Sequence, residues 1–226
     1  MGYILTVTLN TSVDTTLTIP SPLMVGETNR VCDVLKLPGG KGINVARVLH
    51  TVGVPLYVTG LAGGSAAEFI SAGLVQAGID STFQPIVGAS RTCTAVVECD
   101  SYRVTEINEP GPTITNTEAL AFLDLYERLL PGALAVVLSG SLPPGLPDDY
   151  YALLLNRAHA ADVPAILDTS GRAFHLGIAA RPLLVKPNVT EAKQFLGENV
   201  GAELASVPVI VGQRMREQGA PMALFS

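Results

Sequence analysis

Apolar runs of strand length alternate with amphipathic segments of helix length along most of this chain. That alternation constrains the fold more than any other feature. Tyr3–Leu9 (YILTVTL) reads as a first strand and Lys41–Val52 as a helix, with Ile43, Val45, Ala46 and Leu49 able to share a face. Tyr57–Leu61 is a second strand and Ala66–Gln76 a second helix. Leu134–Ser139 and Ala165–Asp168 are short strands of the buried type. Between them Asp148–Ala161 is predicted helical, opened by Pro147 and acidic in its first turn. Leu183–Lys186 is a further strand with a helix, Thr190–Leu196, behind it. Strand–helix alternation predicts an α/β fold, a mostly parallel sheet with helices on both faces.

Two regions break the rhythm. Leu17–Leu37 and Thr92–Ile107 are rich in Thr, Val and Cys with charges interleaved, and Asp100-Ser101 marks a hairpin turn in the second. Both are assigned to a small β lid. The boundaries follow: residues 1–10, 38–88 and 109–226 form the α/β core, and residues 11–37 and 89–108 the lid. Near the C-terminus VPVIVGQRMREQG has helical spacing, and MALFS reads as the start of one more strand.

Bulk properties exclude several classes. The 226 residues suffice for one sizeable core. Net charge is −6, and no Lys/Arg-rich block interrupts the chain, so nucleic acid is not an expected partner. No apolar run approaches a membrane span, and MGYILTVTLN lacks the basic lead of a secretory signal. Cys32, Cys93 and Cys99 are scattered, which fits a reducing, cytoplasmic compartment. The three histidines have no metal-ligand spacing.

Three stretches carry candidate chemistry. In KLPGGKGINVARVL (Lys36–Leu49) glycines precede a lysine at the mouth of a helix. Glycine lets backbone approach a ligand, and a helix N-terminus offers unpaired N–H groups and partial positive charge. Lys41 adds a full charge, and Asn44 a hydroxyl-binding amide one turn on. That suits a phosphorylated sugar; a tight turn with a solvated lysine is the plainer alternative. Neither a Walker A loop nor a dinucleotide fingerprint occurs. LSGSLPPGLP (Leu138–Pro147) places Ser139 at the carboxyl edge of a strand, where open α/β sheets bind ligands, unless it is only a Pro/Gly turn. In LLVKPNVTEAKQFLG (Leu183–Gly197), Asn188 and Glu191 suit Mg²⁺ through its waters or form a capping pair with no metal. Asp168, in ILDTSG, ends another strand and reads as a turn cap.

Taken in order, TLNTSVD (Thr8–Asp14), LPGGKGINVARVL, SRT (Ser90–Thr92), TEINEPGP (Thr105–Pro112), VVLSGSLPPG, LDTSG and KPNVTE resemble the ribokinase/PfkB family of carbohydrate kinases, in its branch of 1-phosphofructokinases and tagatose-6-phosphate kinases. The resemblance implies a ribokinase-like fold, ATP and Mg²⁺ as cofactors, and phosphorylation of fructose 1-phosphate or tagatose 6-phosphate. It implies that Asp14, Gly39, Gly40 and Asn44 hold sugar hydroxyls. Lys41, Arg91 and Arg103 would approach the substrate phosphate, and Ser139 would line the sugar pocket. Lys186, Asn188 and Glu191 would serve ATP and Mg²⁺. The lid implies a homodimer clasped through its strands. Thr11 stands where the family usually has proline, and Cys93 where asparagine is expected. The family's GAGD-type segment, with its catalytic aspartate, does not occur in these 226 residues. A kinase lacking its C-terminal part, with no catalytic base of its own, is therefore expected; a non-catalytic sugar-phosphate binder or structural remnant is the alternative.

Overall fold

The computed structural model describes residues 2–196 and 207–225. Its main sheet is built from β1 (Tyr3–Thr8), β4 (Leu56–Gly63), β5 (Ser81–Ile86), β8 (Ala133–Ser139), β9 (Ala165–Asp168), β10 (Leu184–Val185) and β11 (Met222–Ala223). The spatial order is β11-β10-β9-β8-β1-β4-β5, and every pairing in it is parallel. From β1 the chain builds outward through β4 and β5, then crosses to the other side of β1 and builds outward again from β8. The order therefore reverses between β1 and β8. Connections there diverge, leaving a crevice beyond the carboxyl ends of the two strands.

Helices cover both faces because the central strands are apolar on both. On one face α1 (Lys41–Thr51) and α2 (Gly64–Gln76) bury Ile43, Ala46, Ile70 and Leu74 against Val58. On the other, α3 (Asn116–Leu129), α4 (Tyr150–Ala160) and α5 (Gly171–Ala179) build the larger cluster around Phe122, Tyr126, Tyr151, Leu154 and Phe174. Helices α6 (Val189–Leu196) and α7 (Val207–Gln218) add Ala192, Phe195, Val211 and Met215 to it. Truncating one such aromatic to alanine costs about 3–5 kcal/mol.

A second, four-stranded sheet stands over the carboxyl edge of the first. Its order is β3-β2-β6-β7, with β2 at Ser12–Ile19, β3 at Asp33–Gly39, β6 at Arg91–Glu98 and β7 at Val104–Asn108. The β6–β7 hairpin turns where Asp100-Ser101 predicted. This sheet is pinned at its base, where Pro38 packs against Gly73 of α2 and the Arg47 guanidinium donates to the Pro38 carbonyl.

Two expectations need correction. Helix α4 begins at Tyr150 rather than Asp148, and no acidic residue lies in its first turn. Pro147 does not open it directly: the Tyr150 amide donates back to the Pro147 carbonyl, closing a turn, while Asp148 pairs with Arg172 Nε at 3.1 Å. Helix α3 (Asn116–Leu129) is not among the helices expected from apolar periodicity. Its signal was nevertheless present in Thr115-x-x-Glu118, where each side chain accepts from the other's backbone amide as a capping box.

Candidate functional site

The loop after β1 turns upward into β2, and β3 returns to the same point, so Gly39, Gly40 and Lys41 enter α1 beneath the lid. Gly40 adopts φ 110°, and a Cβ there would lie 2.5 Å from the Thr8 side chain. Gly39 lies against Asp14, so any side chain at Gly39 would collide with that carboxylate. Both glycines therefore permit close approach of two chain segments. Helix α1 has no side-chain cap and no acidic residue in its own first turn, so its N-terminal N–H groups open toward the crevice.

Asp14, Gly40, Lys41, Asn44, Arg91 and Cys93 line one cleft between α1 and the lid. It holds about 290 Å³, near the lower end of ordinary small-molecule sites, which run from about 300 to 1,000 Å³. The lid wall follows from strand register. Asp14 lies opposite Cys93, and Cys93 opposite Asn108. One row outward, Thr16 lies opposite Ala95, and Ala95 opposite Glu106. Period-2 alternation points these rows at the cleft.

Ser12 donates to Asp14 Oδ1 at 2.6 Å and so fixes the orientation of that carboxylate. Arg91 donates through Nη1 to the Glu109 carbonyl at 2.9 Å, while its buried Nε has no partner. Burial raises the Cys93 thiol above its ordinary value, an effect partly opposed by the Arg91 charge.

Lys41 Nζ pairs with Asp168 Oδ1 at 3.2 Å, and Ser139 donates to Asp168 Oδ2 at 3.3 Å. Parallel pairing of β8 with β9 sets Ser139 directly opposite Asp168. The turn cap expected of Asp168 is not its contact in the structure. Asp168 is instead the carboxylate beside Lys41, a relation that no local signal in ILDTSG reveals. Ser139 itself does not line the cleft: it is fully buried, with its hydroxyl committed to Asp168.

Arg103 also departs from expectation. It lies near the tip of the β6–β7 hairpin, outside the cleft, and its guanidinium grips Glu98 at 2.8 and 3.1 Å. Buried Glu98 needs a cation, and Arg103 supplies it. That bond, with one from Ser101, holds the Glu98 carboxyl down at about 2.

Lys186, Asn188 and Glu191 follow β10 on the same edge of the sheet but do not line the cleft. Asn188 Oδ1 accepts from the Glu191 amide and Glu191 Oε2 from the Asn188 amide, both at 2.8 Å. The pair caps α6 reciprocally. Glu191 Oε1 keeps lone pairs beyond that cap, so capping and water-mediated contact with a hydrated cation are compatible. Among the described residues, no group of three or more His, Cys, Asp or Glu side chains could hold a metal ion, and no helix is long and apolar enough to cross a membrane.

Residues 7–216 match the pfkB family of carbohydrate kinases. Phosphofructokinase-2 from Escherichia coli in complex with fructose-6-phosphate is 25% identical and superposes with a TM-score of 0.91, over 100% of this chain and 74% of that one. A possible 1-phosphofructokinase from Thermotoga maritima is 28% identical, with a TM-score of 0.89, over 99% of this chain and 71% of that one. The tetrameric inhibited form of the Escherichia coli phosphofructokinase-2 aligns over 97% of this chain and 71% of its own, with 25% identity and a TM-score of 0.88. The ribokinase-like architecture expected from the sequence is thus the architecture of the chain.

Proposed function

The chain belongs to the pfkB family of carbohydrate kinases, and from that premise we propose that its cleft binds a hexose phosphate as acceptor for ATP-dependent phosphorylation. One observation carries the reading: Lys41 and Arg91 bring two cations to a cleft whose floor is the N-terminal turn of α1, with Asn44 on it, and whose lid wall carries Asp14. The cations and the helix N-terminus suit a phosphate. Asp14, held by Ser12, and Asn44 suit sugar hydroxyls.

Fructose 1-phosphate and tagatose 6-phosphate are the proposed acceptors, each giving a 1,6-bisphosphate. The fructose-6-phosphate complex of a structural neighbour adds a third ketohexose phosphate to the panel. When bound, ATP supplies the transferable phosphoryl group and Mg²⁺ neutralises its charge. Lys186, Asn188 and Glu191 would hold them. On the shared sheet edge they lie beyond Asp168, on the side away from β1. The chain's own residues bind and orient the acceptor. Asp14, Asp168 and Glu191 each make a positioning contact, to Ser12, Lys41 and the Asn188 amide, and none of them belongs to the GAGD-type segment in which the family resemblance puts the base.

A polypeptide of these 226 residues should therefore bind acceptor yet turn it over poorly. Loss of a positioned base costs a factor of about 10²–10⁴. The test pairs calorimetric titration of the three ketohexose phosphates with an ADP-release assay, on this polypeptide and on one extended by a GAGD-type segment. Binding by both with turnover only by the extended chain supports the kinase reading. Binding by both with turnover by neither supports the non-catalytic binder. No binding by either refutes both.

A further inference from the structure

A second cavity, of about 590 Å³, opens at the amino edge of the main sheet, across the sheet from the cleft. Its volume falls within the range of about 300–1,000 Å³ of small-molecule sites. Three chain reversals build it: α4 into β9, α5 into β10 and α7 into β11. His159 comes from the first, Arg181 from the second, and Arg216 and Glu217 from the third. Pro164 and Leu183 add apolar surface beside these charges.

Each reversal has one residue at positive φ: Asp162 at 56°, Arg181 at 56° and Gly219 at 126°. Such a position after a helix favours glycine and disfavours a long side chain. An arginine occupies it in the middle reversal all the same. The stem of Arg181 crosses Gly219, where a Cβ would lie 3.1 Å from Arg181 Cγ. Bare backbone at Gly219 thus makes room for the arginine that forms one wall of the cavity.

Cations are favoured where helices end, but capping does not account for these two. The carbonyls of the last turns already accept from backbone amides. Ala180 donates to Gly177 at 3.1 Å and Arg181 to Ile178 at 2.9 Å. Ala220 donates to Met215 at 2.9 Å and Gly219 to Arg216 at 3.2 Å. Nor do Arg181 and Arg216 neutralise a carboxylate. The ion pairs among the described residues engage Lys41, Arg103, Arg157 and Arg172 instead. Two guanidiniums from two separate turns therefore share one cavity with their donors uncommitted to an anion.

We propose that this cavity binds a diphosphate group, one phosphoryl on each guanidinium, with His159 as a further donor. The planar fork of arginine matches phosphate oxygens in pairs. Glu217, the one carboxylate among the described lining residues, opposes the ligand and limits its affinity.

The site stands independently of the hexose phosphate reading. Pyrophosphate is titrated into the wild-type protein at fixed ionic strength without divalent cations, and followed by calorimetry and by hydrogen exchange. Binding should protect amides around 159–165, 180–184 and 216–221, with an affinity about tenfold or more above that for inorganic phosphate. Arg181→Gly suits a positive φ and so keeps the fold. It and Arg216→Gln should each weaken pyrophosphate about tenfold, the loss of one charge-assisted contact. Glu217→Gln should strengthen it, and Lys41→Ala, in the cleft, should leave it unchanged. No binding of pyrophosphate overturns the proposal. So does binding no tighter than that of inorganic phosphate, binding untouched by both arginine substitutions, or binding lost in Lys41→Ala.

Discussion

The Lys41 ammonium lies 3.2 Å from the Asp168 carboxylate, across 127 residues of sequence. This pair spans the crevice at which the strand order reverses. On one side stands the glycine-rich entry to α1, on the other the strand end leading toward Lys186 and Asn188. Lys41 is half exposed and Asp168 mostly covered, so as an ion pair the contact is worth only about 0–1 kcal/mol. Its consequence is positional: Asp168 aims the Lys41 charge.

Replacing Lys41 with alanine should weaken hexose phosphate binding about tenfold or more, the loss of one charge-assisted contact. Asp168→Asn, which keeps size but removes the anion, should weaken it less. Unphosphorylated fructose should bind all three proteins alike. Isothermal titration reads each affinity, and an unchanged affinity for Lys41→Ala would remove this residue from the phosphate site.

Gly40→Ala should lower stability by about 1–3 kcal/mol, the usual range for a side chain forced to positive φ. The new Cβ also meets the Thr8 side chain. Denaturant titration gives the first effect. Hexose phosphate affinity measured on the folded fraction gives the second, which should fall because the mouth of α1 must shift.

The Glu98 carboxyl is held at about 2 against an ordinary value of 4.5. A folded value below the unfolded one means that its contribution is fully present above 4.5. It is lost as pH falls from there towards about 2. The difference in melting temperature between wild type and Glu98→Gln should therefore shrink across that window and be constant above it. A difference independent of pH between about 2 and 5 would assign the effect of Glu98 to shape rather than charge.

Glu191→Gln separates capping from cation binding, since a glutamine oxygen still accepts from the Asn188 amide. The melting temperature should hold, while affinity for ATP in the presence of Mg²⁺ drops about tenfold. Fluorescence titration with a labelled nucleotide checks this. If affinity also holds, the pair is a helix cap alone.

The lid exposes Val34, Leu35, Leu37, Val104 and Ile107 on two edge strands. A small sheet with such edges needs cover. Sedimentation at micromolar concentration should show a dimer, and Leu35→Asp with Ile107→Asp should shift it to monomer. A wild-type protein sedimenting as a monomer would count against the clasp.

Local physics made most of the fold legible. Alternating run lengths gave the parallel core and the β6–β7 hairpin, and the glycines around Lys41 gave the helix mouth, because those signals lie within one turn or one strand. Gly40, Lys41 and Asn44, read from the glycine–lysine stretch, and Asp14 and Arg91, which only the family resemblance implied, do meet in one cleft. Tertiary structure alone placed Asp168 beside Lys41, since two strand ends become neighbours only through the order of a sheet. It also withdrew Ser139 into the interior and turned Arg103 toward Glu98. A sequence states that a serine or an arginine is present. Which carboxylate it satisfies depends on which carboxylate folding leaves buried and without another partner.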